Sequence, residues 1–145
     1  MLEFNCRFGD PETQSIVPRL EGDLLGALAA AAGGELAGVE LEAADVAAVT
    51  VVVACGDYPA RTDSGSPIEG VEAAETAGAL VFQAGTALRG GRLVTNGGRI
   101  LSVTGTGSTV ADARELAYAA CGRISFPGAR YRRDIALAAA AAAPG

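Results

Sequence analysis

The sequence predicts an α+β fold: a small, mainly antiparallel sheet of about four strands, with helices packed beside it and one long helix laid across it. Three observations predict this. The residues before about position 42 are helical in texture, the Val- and Thr-rich segments begin only after about residue 45, and a capped apolar segment starts at Thr109.

Taken in order, Leu2-Glu3-Phe4-Asn5 alternates apolar and polar like a strand, so Glu3 and Asn5 share one face. Asp10-Pro11-Glu12 reads as a helix start, with Asp10 as the cap, Pro11 at the first helical position and Glu12 in the favourable first turn. That helix carries Ile16, Val17 and Leu20, and Pro18 kinks or ends it. A second helix begins at Asp23 and stops at Gly33-Gly34. Residues 46–55 read as a buried strand, 57–70 as a loop rich in Gly, Pro, Asp and Ser, and 79–83 as a short strand. Residues 92–95 and 99–104 read as a hairpin, because Asn96-Gly97 supplies the positive φ angles of a tight turn. Thr109 caps a helix over 110 to about 124, with Asp112 placed to reach back to the cap. From Tyr131 a basic knot leads into an alanine-rich helix.

Composition excludes whole classes of chemistry. The chain has 145 residues and a formal charge of -6, and its 11 cations are all arginine and scattered, which argues against a nucleic-acid surface. It has no lysine, hence no Schiff base and no phosphate-loop lysine, and no histidine, hence no His-based triad or His zinc ligand. Cys6, Cys55 and Cys121 lack the spacing of a zinc or redox motif and read as reduced, buried, small apolar residues of a cytosolic protein. The alanine run at 138–143 is far shorter than the ~20 apolar residues of a membrane span.

Four places have side chains suited to chemistry. Glu3 and Asn5 read either as the wet face of an edge strand or as two oxygen donors for one hard cation. Gly105-Thr106-Gly107 ahead of Val110 reads either as a flexible strand-to-helix turn or as a phosphate loop, although Val110 stands where a dinucleotide fingerprint has glycine. Arg130, Arg132 and Arg133 around Tyr131, beside Asp134, read either as a solvated helix start with local ion pairs or as a phosphate receptor. In the charged loop Arg7, Asp10, Glu12, the cap accounts for Asp10 and the helix dipole for Glu12, which leaves Arg7 without a structural role.

Taken whole, Glu3-Phe4-Asn5-Cys6-Arg7-Phe8-Gly9-Asp10-Pro11-Glu12-Thr13-Gln14 resembles the signature near the end of the ATP-grasp region in phosphoribosylamine-glycine ligases, or glycinamide ribonucleotide synthetases, of purine biosynthesis. Later stretches resemble that family's C-terminal domain in the same order: Ala54-Cys55-Gly56-Asp57-Tyr58-Pro59, Val81-Phe82-Gln83-Ala84-Gly85-Thr86, Gly97-Gly98-Arg99-Ile100-Leu101 and Tyr131-Arg132-Arg133-Asp134-Ile135. The chain departs from the family's usual residues at Asp57, Ala60, Gln83 and Ala136.

The resemblance implies an ATP-dependent joining of glycine to 5-phosphoribosylamine, giving glycinamide ribonucleotide, ADP and phosphate, in a cytoplasmic enzyme. It implies that Glu3 and Asn5 hold Mg2+ (or Mn2+) against the ATP phosphates. It makes Arg7 the candidate catalytic cation, with Gly9, Asp10, Pro11 and Glu12 lining the region where substrates meet. Residues 1–42 would be the last strand and helices of the ATP-grasp domain and 43–145 the ligase C-terminal domain. The family's remaining parts would lie before Met1, leaving this chain inactive alone. The alternative is a non-enzymatic C-terminal module that binds a partner, either the separate ATP-grasp portion or a second copy, through an exposed apolar surface.

Overall fold

Valine-rich strands that can bury a face only against a small-residue helix organise the molecule. A computed structural model of the chain describes residues 7–142; the strand predicted over residues 2–5, and with it Glu3 and Asn5, lies outside the described residues, as does Cys6.

The opening helix is shorter than predicted. α1 covers Thr13–Ile16 and passes into a 3-10 turn at Val17–Arg19, and Glu12, not Asp10, occupies the N-cap position. Asp10 does not cap because its carboxylate is taken by a distant arginine, described below. β1 (Leu20–Glu21) leads to α2 (Leu24–Gly33), which ends as predicted: the Asp23 carboxylate accepts from Gly26 N at 2.8 Å, and Gly34 takes a left-handed φ of 76°. β2 (Glu42–Ala43) then pairs with β1 as a two-stranded antiparallel ribbon. The sequence reading missed this ribbon because each strand has only two residues.

The remaining strands are β3 (Ala47–Ala54), β4 (Asp63–Pro67), β5 (Leu80–Gln83), β6 (Thr86–Arg89), β7 (Arg92–Gly97) and β8 (Arg99–Gly107). They form two three-stranded antiparallel sheets, ordered β3-β8-β5 and β4-β7-β6. The helices are α3 (Val71–Thr76), α4 (Val110–Cys121) and α5 (Leu137–Ala141). The α+β class and the antiparallel pairing agree with the sequence reading, but the single four-stranded sheet does not: the described strands fall into two sheets and a ribbon.

Asn96-Gly97 is not a hairpin turn, since β7 pairs with β6 and β4 while β8 pairs with β3 and β5. The hairpin is β6–β7, turned by Gly90 and Gly91 at φ 57° and 76°. At Gly97 the chain crosses between sheets, and glycine is required there by close approach: a Cβ on Gly97 would lie 2.9 Å from the Gly85 Cα. The predicted loop 57–70 contains β4, which is held by side chains: Thr95 Oγ1 donates to Asp63 at 2.7 Å and accepts from Ser66 N at 3.0 Å.

The core lies between the β3-β8-β5 sheet and α4. Val49, Val51 and Val53 alternate toward the helix from β3, Leu101 and Val103 from β8, and they meet Ala113, Ala117, Ala120 and Cys121 of α4. Burying each valine or leucine contributes about 1.5–3 kcal/mol. The small helix residues let α4 sit close enough to collect it. The other face of the sheet carries Thr50 and Thr104 opposite one another beside the apolar Val52 and Ala54, and α1 packs on its hydroxyls. No helix among the described residues is long and apolar enough to cross a membrane.

Candidate functional site

The face of β3 turned away from α4 and the segment just before α1 enclose a cleft of about 540 Å³. Thr50, Val52 and Ala54 form its floor, Pro11 one wall, and Arg99, Arg130 and Arg132 its rim, with Tyr58 and Tyr131 beside them. Strand alternation puts the floor residues there: Val49, Val51 and Val53 point to the core, so their neighbours point to the cleft.

Each arginine is held differently. Arg99, the first residue of β8, donates from Nη2 to the Asp10 carboxylate at 2.9 Å and from Nη1 to the Asp10 carbonyl at 3.3 Å. Arg132 grips Asp134 with two bonds, Nε to Oδ1 at 3.0 Å and Nη2 to Oδ2 at 2.6 Å. The Arg132 hydrogen bonds hold the Asp134 carboxyl below its usual range, and Asp134 raises Arg132. Arg130 donates to the Tyr58 carbonyl and pairs with no carboxylate among the described residues. The rim therefore carries three guanidiniums and two carboxylate partners, which leaves one cation uncompensated beside an apolar floor. That arrangement suits a phosphorylated ligand with a small uncharged body.

The structure brings some of the sequence candidates together. Asp10 and Pro11 reach the cleft through Arg99 and the wall. Gly9 accepts from Thr13 N and Oγ1 and closes the turn into α1. Glu12 stands at the N-cap without a side-chain bond. Arg7 is exposed and donates to the Phe8 carbonyl at 2.9 Å. Arg133 does not line the cleft, and its guanidinium stands 5.7 Å from the Tyr131 ring centroid. Among the described residues no group of three or more His, Cys, Asp or Glu is arranged to hold a metal.

The phosphate-loop reading of Gly105-Thr106-Gly107 fails. These residues belong to β8, and the α4 N-terminus is filled by its own capping box, with Asp112 Oδ2 accepting from Thr109 N at 3.1 Å. The two cysteines among the described residues, Cys55 and Cys121, are buried and free, and burial pushes the Cys121 thiol up to about 12.

Arg99 and Tyr58 escaped the sequence reading as site residues. Both sit inside stretches that resemble the ligase family, which was the available signal; nothing in periodicity marked them, because each belongs to the site only through long-range packing.

Comparison with known proteins identifies the family. The profile described as Phosphoribosylglycinamide synthetase, C domain, matches residues 48–138. The chain is 50% identical over 141 residues to a phosphoribosylamine--glycine ligase of Mesorhizobium japonicum, covering 97% of this chain and 33% of that protein. It is 49% identical over 146 residues to the Streptomyces coelicolor enzyme of the same name, covering 98% of this chain and 35% of that one. The crystal structure of phosphoribosylamine--glycine ligase from Thermotoga maritima superposes with a TM-score of 0.74 at 38% identity, covering 93% of this chain and 33% of that one. The chain thus spans about a third of the length of these relatives. It belongs to the phosphoribosylglycinamide synthetase C-domain family.

Proposed function

We propose that the chain is the C-terminal part of an ATP-grasp ligase that joins glycine to 5-phosphoribosylamine in the cytoplasm, in purine biosynthesis, and that its cleft seats the 5-phosphate of the sugar substrate. The observation that carries this is the meeting of the Gly9-Asp10-Pro11-Glu12 turn with the arginine rim through the Asp10–Arg99 pair. A motif at the start of the chain and a basic cluster near its end share one pocket. Arg130 and Arg132 take phosphate oxygens, Arg99 holds the turn in place at the same rim, and the apolar floor excludes water from the sugar side.

ATP phosphorylates the glycine carboxylate, and the sugar amine attacks the acyl phosphate. Arg7 offsets charge developing on the phosphoryl group, and Gly9 to Glu12 line the meeting point of the substrates. Glu3 and Asn5 offer oxygen donors, the chemistry Mg2+ or Mn2+ prefers, and would hold the ion that neutralises the ATP phosphates. The chain spans about a third of the length of its relatives, and on this reading the nucleotide-binding residues lie in the other two thirds, so no turnover is expected from the 145 residues alone.

The test is a chimera that joins this chain to the N-terminal portion of the Mesorhizobium japonicum ligase. It is expected to release phosphate from ATP only when glycine and phosphoribosylamine are both present, and Glu3→Ala abolishes the release. Turnover by the isolated chain, or turnover that survives Glu3→Ala, overturns the assignment.

A further inference from the structure

We propose that Arg114 and Tyr118 of α4, which lie outside the cleft, are positioning residues for its arginines. They grip the backbone of residues 130–135 so that Arg130 and Arg132 face a common phosphate. The inference rests on the reading of the cleft as a sugar-phosphate seat.

Arg130, Arg132 and Arg133 fall within four consecutive positions, in a stretch between α4 and α5 that has no regular helix. Three neighbouring cations repel one another, and an untethered segment would spread them. This one is tethered at both ends. Upstream, Arg130 exchanges two backbone bonds with Ala54 of β3, at 2.8 and 3.0 Å. Downstream, α4 supplies four bonds. Arg114 donates from Nε to the Ile135 carbonyl at 2.9 Å and from Nη2 to the Arg133 carbonyl at 2.7 Å. The Tyr118 hydroxyl donates to the Arg132 carbonyl at 2.8 Å and accepts from Ile135 N at 3.1 Å.

The two residues are four apart on the helix and so share a face. The Arg114 guanidinium lies 4.5 Å from the Tyr118 ring centroid, and that ring stands 5.9 Å from the ring of Tyr131, a cleft residue. Their base is rigid, since Ala113 and Ala117 beside them are fully buried against the sheet. The residue types fit the task. Only a hydroxyl both donates and accepts at one atom, and only a guanidinium fork spans two carbonyls at once. Neither Arg114 nor Tyr118 lines the cleft. Their polar atoms are committed to the backbone of the segment that does.

The experiment is calorimetric titration of the 145-residue chain with ribose 5-phosphate, with ribose as the uncharged control. The wild-type chain is expected to bind ribose 5-phosphate and not ribose. Tyr118→Phe, which keeps the ring and loses both bonds, and Arg114→Met are each expected to weaken ribose 5-phosphate about tenfold, with melting temperatures lowered by only a few degrees. Arg114→Lys keeps the charge without the fork and stays weak, which separates positioning from net charge. If the wild-type chain fails to bind ribose 5-phosphate, the cleft reading is overturned and this inference with it. If it binds but Tyr118→Phe and Arg114→Met bind equally well, positioning is overturned while the cleft reading stands. Should Arg114→Met lose its cooperative melt, Tyr118→Phe decides alone.

Discussion

Replacing Gly105 with alanine adds a single methyl group, yet the structure makes it one of the most disruptive changes available. A Cβ on Gly105 would lie 2.3 Å from the Ala113 carbonyl oxygen, 2.6 Å from Ala117 N and 3.1 Å from the Leu116 Cβ. The first two are helix backbone and cannot rotate aside, and ordinary contact needs ~1 Å more than the shortest of them allows. Helix α4 must retreat, opening the interface where Ala113, Ala117 and Ala120 are fully buried against Val51 and Val103. Overpacking of this kind costs about 1–3 kcal/mol, and a gap of ~1 Å forfeits up to about half of each contact behind it. The entropy gain of Gly→Ala returns only about 0.5–1 kcal/mol. The expected net loss is roughly 2–4 kcal/mol, or a fall in melting temperature of about 5–12 °C for a chain of this size. Gly33→Ala is the matched control: Gly33 is the last residue of α2, nothing lies within 4 Å of its would-be Cβ, and the same substitution should stabilise by about 0.5 kcal/mol. Scanning calorimetry reads both. A Gly105→Ala melt within ~1 °C of wild type would refute the account of how α4 seats on β8.

Arg99→Gln should separate stability from binding. The Asp10–Arg99 pair has side-chain exposures of 43% and 39%, so its loss costs under ~1 kcal/mol of stability. Ribose 5-phosphate affinity should fall about tenfold, because the turn that carries the Pro11 wall loses its anchor and a cation is lost from the rim; unchanged affinity by calorimetry refutes a role for the Asp10–Arg99 pair in shaping the phosphate seat. The pH dependence of stability should be a plateau. Hydrogen bonds from Thr95, Thr109 and Arg132 hold the carboxyls of Asp63, Asp112 and Asp134, respectively, below their ordinary value of 3.8. A folded pKa below the unfolded one means that this stabilisation is complete above the unfolded value and is lost as pH falls through the folded ones. At the alkaline end Cys121 is raised from 9.0 to about 12, so stability drops as pH climbs through that interval. With no histidine in the chain, melting temperature should be flat from about pH 5 to 8; a step near pH 6.5 would contradict this.

What was legible in the sequence was local. The caps of α2 and α4 could be read because Asp23, Gly34, Thr109 and Asp112 act on atoms within a few residues of themselves. The β3 strand could be read because its run of Val, Ala and Thr is as dense as a buried strand requires. Asn96-Gly97 misled because the local turn signal was overridden by crowding of Gly97 against Gly85, twelve residues earlier in the chain and in contact in space. Asp10 misled in the same manner, as a cap signal loses to a guanidinium separated from it by 89 residues. β4 was invisible because its backbone pairing with β7 and two hydrogen bonds with the Thr95 hydroxyl, not an apolar face, hold it in its sheet. The site divides along the same line. The cluster around Tyr131 was visible as a cluster, but its union with Pro11 and Arg99 exists only in the folded chain.

That union depends on how the opening segment is held. α1 docks on the sheet through hydroxyls rather than an apolar patch. Thr104 Oγ1 donates to the Gln14 carbonyl at 3.0 Å, which requires it to accept from Thr50 Oγ1 at 2.7 Å, and Thr50 in turn to accept from Ser15 Oγ at 2.6 Å. An apolar contact tolerates sliding, whereas this chain of bonds has one direction and one register. Displacing α1 would leave the fully buried Thr104 hydroxyl without its acceptor, at a cost of about 1–3 kcal/mol. Residues 10–15 are therefore pinned twice, by Arg99 at one end and by Thr50 at the other, and Pro11 forms the cleft wall between the pins. The turn that carries the opening motif is thus fixed in the same frame as the arginines, so the proposed phosphorylated ligand would meet that turn at a set distance and angle. On the proposed reading, positioning of this kind is what this chain contributes to transfer chemistry, since its own residues include neither lysine nor histidine.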